Sequence, residues 1–159
     1  MTNLERNYEE TLVAYFEGEI EGETYFHGLA EHFGEEGAAE KLHLLGEVER
    51  CAADVMRPVL ARHGLRPRDT AVLRESGRAY IARDKDRNWA GFIDHVVDFY
   101  PTYVVQFEAL ERMAPPDDQE ALKRLTDHEH AAIAFAKREQ AGDPASAESL
   151  RDYITLCEG

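Results

Sequence analysis

Between Leu12 and Phe33 the apolar residues Leu12, Tyr15, Phe16, Phe26, Leu29, Ala30 and Phe33 recur at helical spacing. That is the period of one buried face of an α-helix. The same period restarts after the tight "GEEG" at 34–37 and continues almost to the end of the 159 residues. No strand-like segment, internal repeat or low-complexity tract competes with it. This continuity is the strongest constraint on the chain, and it predicts an all-α protein.

Punctuation divides the pattern into segments. Helix A is expected over 4–33, with Thr2 and Glu5 as a capping box, and helix B over 38–63, stopped by Gly64 and Pro67. A short helical piece over 70–83 ends in the charged break "RDKDR". Helix C is expected over 88–113. Its apolar run "WAGFIDHVVDFYPTYVVQF" contains Pro101, which removes a backbone donor and should kink or divide it. Asp117 with Glu120 reads as a capping box for helix D, 118–140, and Gly142 ends that helix. Asp143-Pro144 can cap a short last helix over 144–156.

Two hairpins, A/B and C/D, are thus joined by a link of about 20 residues. A helix of about 25 residues is about 38 Å long, and a partly helical link can run back along it. The expected architecture is a single-domain four-helix bundle with one long crossover, helices B and C parallel, and a short C-terminal helix.

Acids interrupt the apolar stripes. In "EGEIEGETYF" the residues Glu19 and Glu23 fall on the apolar face of helix A, while Glu17 and Glu21 fall outside it. On helix B, Glu49 lies among Leu42, Leu45, Ala52, Met56 and Val59; on helix D, Glu129 lies among Leu122, Leu125, Ala132, Ile133 and Ala136, with His128 beside it. Counted from the two hairpin turns, Glu23, Glu49 and Glu129 reach one height, about 20 Å from an end by the 1.5 Å rise. Buried carboxylates must pair, protonate or bind metal.

In this arrangement the chain resembles the ferritin-like superfamily of dimetal-carboxylate bundles. "GEIEGETYFHGLAEHF" is similar to its first helix, with Glu23 or Glu19 as ligand, "LLGEVERCAADVM" would supply Glu49, and "LTDHEHAAIAFAKRE" Glu129. The resemblance implies two iron or manganese ions and oxidative chemistry on a small molecule. The ligand set it implies is Glu19, Glu23, Glu49, His128 and Glu129, with His128 as ligand or second-layer orienter.

Departures from the family pattern favour another reading. The histidines expected three residues after Glu49 and Glu129 are Ala52 and Ala132. Helix C has no acid at the right height, only Asp98 and Glu108 to either side. His27, His95 and His128 are candidate substitutes. The Glu40/His43 pair shares a charged stripe near a turn and reads as a solvated face, as does Asp127/His130. The alternative is a metal-free, inactive bundle that serves as a binding module, its acids bonded to His128, Tyr100 or Tyr103.

Composition narrows the partners. A net charge of −14 argues against nucleic acid and against an anionic membrane surface. No apolar run is long enough to span a bilayer, and "MTNLERNYEE" lacks the form of a signal peptide. Cys51 and Cys157 match no zinc or redox spacing, so a cytoplasmic protein with two free thiols is expected. There is no phosphate loop, and no serine has a nucleophile-elbow context. The aromatic stripe of helix C is expected in the core; it could also line a pocket for a small apolar substrate or the face of a homodimer.

Overall fold

The computed structural model describes the backbone from Asn3 to Gly159 and the side chains from Asn7 onward; the expected Thr2/Glu5 capping box lies outside the described residues. Those residues form helices and turns without a strand. The helices are α1 Asn3–Leu29, α2 Ala38–Arg62, α3 Thr70–Asp84, α4 Trp89–Phe99, α5 Pro101–Met113, α6 Gln119–Gln140 and α7 Glu148–Glu158. Single 3₁₀ turns follow α1 at Ala30–His32 and precede α6 at Pro116–Asp118.

Contacts at the two ends fix the directions. At one end, Tyr8 near the start of α1 donates to Asp118 before α6, and His63 after α2 meets the same carboxylate. At the other end, Phe33 after α1 packs on Trp89 at the start of α4, while Lys41 of α2 and Trp89 both donate to Glu139 of α6. Helices α1 and α6 therefore run one way, and α2 and the α4–α5 pair the other. The return path is α3, laid along α1 through Arg68–Glu17, Ser76–Glu21 and the Ile81 side chain over Gly28. Close approach here needs glycine at 77, where a Cβ would stand 2.5 Å from the Glu21 carbonyl oxygen. Helix α7 fills the groove between α2 and α6, and its Tyr153 hydroxyl donates to the Arg124 carbonyl.

Several boundaries differ from the expected ones, each for a local reason. Pro101 divides helix C outright, becoming the first residue of α5. The residues expected to begin the last helix form turns, because Asp143 bonds Arg138 and the Ala145 N–H instead of capping a helix there. The Asp117/Glu120 box does not form; the residue before α6 is Asp118, whose carboxylate is taken by Tyr8, Arg62 and His63. Helix α1 gives way to a 3₁₀ turn after Leu29, four residues before the expected end.

The apolar core is in two parts. One gathers Phe26, Leu29, Leu42, Leu45, Phe92 and Phe135 near the α1–α2 turn. The other gathers Leu12, Phe16, Met56, Val59, Phe107, Leu122 and Leu125 near the opposite end. Between them lies a layer of buried polar side chains. Cys51 and Cys157 carry free thiols, and the Cys157 Sγ lies 3.4 Å from the Cys51 carbonyl oxygen, tying α7 to α2. No described helix is long and apolar enough to cross a membrane.

Candidate metal centre

The polar layer is built from three helices. Glu19 is ten residues before the end of α1, Glu49 eleven after the start of α2, and Glu129 ten after the start of α6. Antiparallel helices of this rise bring those positions to one level. Glu19 and Glu129 are buried, and His128, beside Glu129, is 1% exposed. One ligand atom each from Glu19, Glu49 and His128 lies within 4.8 Å of the others.

The orientation of the imidazole is set by its own helix. His128 Nδ1 bonds the carbonyl oxygen of Leu125, one turn back. A carbonyl can only accept, so Nδ1 carries the hydrogen, and in the neutral ring Nε2 presents a lone pair. Nε2 lies 3.0 Å from Glu19 Oε2, 3.7 Å from Glu49 Oε2 and 3.8 Å from Glu129 Oε2. With the ring hydrogen elsewhere, Glu19 Oε2 is a buried oxygen without a hydrogen-bond partner. The ring is wedged between Phe107, 5.3 Å between centroids, and Tyr153 of α7 at 6.3 Å.

Burial dominates the electrostatics. It pushes Glu19 up to about 8; a hydrogen bond with Glu49 opposes the rise and the charge of Glu129 adds to it. Glu129 also rises to about 8 through burial, eased by His128 and reinforced by Glu49. Glu49 is held well above the usual carboxylate range by burial, then by the neighbouring Glu19. Three acids in one dry layer cannot all ionise unless a positive charge joins them.

The donor set fits a cation. Ligand atoms on a shell of about 2.1 Å radius stand about 3.0 Å apart when adjacent and about 4.2 Å when opposite. The three distances from Nε2 fall in that interval. One imidazole and two carboxyl groups, His128, Glu19 and Glu49, offer atoms within 4.8 Å of one another and suit iron or manganese, as carboxylate- and imidazole-rich sites do, with Glu129 at the edge of the set.

Some expected residues stand apart. Glu23 lies one turn beyond Glu19 on α1, half-buried, raised by burial and facing the charges of His27, Glu47, Arg74 and Arg50. Glu19, and not Glu23, occupies the layer. His27 meets His43, Nδ1 to Nδ1, at 2.8 Å, outside the layer. Glu40 is on the surface, bonded to Arg151. His95 stacks on Phe99. The α4–α5 pair brings Tyr100 and Tyr103 towards the layer and no carboxylate.

A cavity of about 400 Å³ opens beside the layer, with Glu19, Glu49 and Glu129 among its lining residues together with Gly18 and Gly22 of α1. The aromatic stripe of helix C, which the sequence offered as a candidate pocket wall, contributes Tyr100, Tyr103 and Phe107; the part played by α1 was not expected. The available signal was the pair of glycines four apart inside a helix, where glycine is disfavoured. Comparison with protein families, with curated proteins and with solved structures returns no match for this chain.

Proposed function

We propose that this protein is a ferritin-like metalloprotein in which Glu19, Glu49 and His128 hold one iron or manganese ion, with the Glu129 carboxyl beside them. The observation that carries the reading is the pairing of an unpartnered buried oxygen, Glu19 Oε2, with an imidazole nitrogen turned lone pair inward at 3.0 Å. The parallel α2 and α4–α5, joined through α3, support the ferritin-like part. A pair of ions has less support, because α4–α5 adds no acid and the positions that would carry further histidines are Ala52 and Ala132.

A bound iron or manganese ion would supply redox chemistry on a small molecule reaching it from the cavity. The chain's own part is positional. The Leu125 carbonyl fixes the His128 tautomer and ring plane. Phe107 and Tyr153 hold the ring from its sides and keep water away. The three carboxyls, held largely protonated by burial, give up protons when a cation enters and then supply the negative charge that balances it. The expected homodimer draws support from Phe99 and Val105, both exposed on the α4–α5 pair; sedimentation of the purified chain tests it.

The second reading, a metal-free bundle with shared protons, is favoured by one observation. The raised carboxyls of Glu19 and Glu129 can stay neutral without a cation. Elemental analysis of freshly purified wild type and His128→Ala separates the two. About one iron or manganese per chain, lost in the variant, supports the metal centre. Wild type free of metal after purification and after reloading defeats it.

A further inference from the structure

The cavity of about 400 Å³ is at the lower end of the range for small-molecule sites. Its walls are rings. Tyr15 and Phe107 meet edge to face with centroids 5.2 Å apart, and Tyr100 and Tyr103 meet in the same way at 5.5 Å. Helix α1 makes the room. An added Cβ at Gly18 would find nothing within 4 Å, whereas one at Gly22 would stand 3.0 Å from the carboxyl carbon of Glu49. One glycine admits the acid to the layer, and the other leaves the cavity open.

Charge differs sharply between mouth and floor. The floor is the three carboxyls. At the mouth Arg83 lines the cavity, and it shares one buried carboxylate, Asp84, with Arg87. Asp84 also accepts a hydrogen bond from Tyr25. Two guanidiniums share that one carboxylate, on a chain whose net charge is −14, and the lining's other carboxylate beyond the floor, Glu21, accepts a hydrogen bond from Ser76.

We infer that this cleft binds a small planar aromatic acid, its ring between the tyrosines and Phe107 and its carboxylate on Arg83. An anion at the buried floor would lose its hydration and Arg83 at the mouth attracts it, so the carboxylate faces out and the far edge of the ring faces Glu19, Glu49 and Glu129. Aromatic faces and edges supply the contact, and Arg83 supplies a fork matched to a carboxylate. That the inward edge is the reactive one rests on the reading of the floor as a metal centre; the binding itself does not.

The test is calorimetric titration with 2-naphthoate and its neutral isostere 2-naphthamide, with metal content measured on the same samples. Wild type is expected to bind one naphthoate per chain, about fivefold tighter than the amide, a ratio suited to an exposed ion pair. Arg83→Gln should remove the preference while Arg87 and Tyr25 keep Asp84 bonded. Gly18→Leu should abolish binding of both compounds with metal content unchanged and melting temperature no lower, since glycine is disfavoured inside a helix, and Gly18→Ala should weaken them less. Equal affinity for acid and amide in wild type, or binding that survives Gly18→Leu, overturns the inference. Metal-loaded wild type that binds neither compound also overturns it and leaves the metal centre standing. Wild type that stays free of metal after reloading yet binds naphthoate through Gly18 and Arg83 supports the cleft and defeats the metal centre.

Discussion

Glu19→Leu should change sign with metal. The Glu19 carboxyl is held at about 8, against 4.5 in the ordinary state. At pH 7 the unfolded chain therefore ionises it and the folded, metal-free chain must protonate it. Holding that proton costs about 3 kcal/mol, at about 1.4 kcal/mol per pH unit. Leucine removes this cost, and its imperfect shape returns about 1 kcal/mol. The chelated variant should thus be about 2 kcal/mol more stable than chelated wild type, a rise of about 4–8 °C in melting temperature for a chain of this size. With free ion at about a hundred times its Kd, wild type gains about 3 kcal/mol and the variant nothing, so the gap closes or reverses. Circular dichroism melts in chelator and in excess manganese measure both. A chelated variant that melts below chelated wild type would refute the claim that Glu19 is an uncompensated buried acid.

Other consequences are simpler. Metal-free wild type should lose stability as pH rises from about 4.5 to about 8, because Glu19 and Glu129 have raised folded-state values, and such groups contribute below the unfolded pKa and lose that contribution through the folded one; urea titrations at three pH values check it. Burial lowers His63, but its bonds to Asp118 and Glu9 outweigh this and hold it above the usual imidazole range. Asp118→Asn should therefore cost about 2–3 kcal/mol near pH 6, through loss of a buried acceptor of Tyr8, Arg62 and His63. That cost should shrink as the pH is raised towards 9 and His63 loses its proton, and urea unfolding at the two values measures it. Replacing both Glu40 and His43 by alanine should shift stability by less than about 1 kcal/mol, since both are exposed; a loss of bound metal would contradict their place outside the centre. Gly77→Ala should destabilise by about 1–3 kcal/mol through its clash with the Glu21 carbonyl, read from the denaturation midpoint.

The helices were legible because periodicity reports burial directly, and the two glycine- and proline-marked turns set the hairpins. Glu49 and Glu129 were placed at one level by counting residues from those turns. The same count was one turn off on α1, where Glu19 and Glu23 share the apolar face and counting residues does not separate them. His128 appeared only at the edge of the apolar stripe. Its burial depends on α7, whose Tyr153 covers the ring and whose docking no local pattern announces. Long-range polar hubs such as Asp118 and Asp84 were illegible for a like reason: each joins residues more than 50 apart or on separate helices. Gly18 and Gly22 were visible, but only the distances around them turn two glycines into an opening.

The central claim is that the buried acids share their layer with a cation. The most direct test is to titrate chelator-treated protein with manganese at pH 7, reading stoichiometry and released protons together, in wild type and Glu49→Gln. The account predicts saturation at one ion per chain, release of protons from Glu19 and Glu129, whose metal-free values are about 8, and from Glu49, held well above the usual carboxylate range, and loss of both signals in the variant. Absence of saturable binding, or binding without proton release that Glu49→Gln leaves intact, would contradict it.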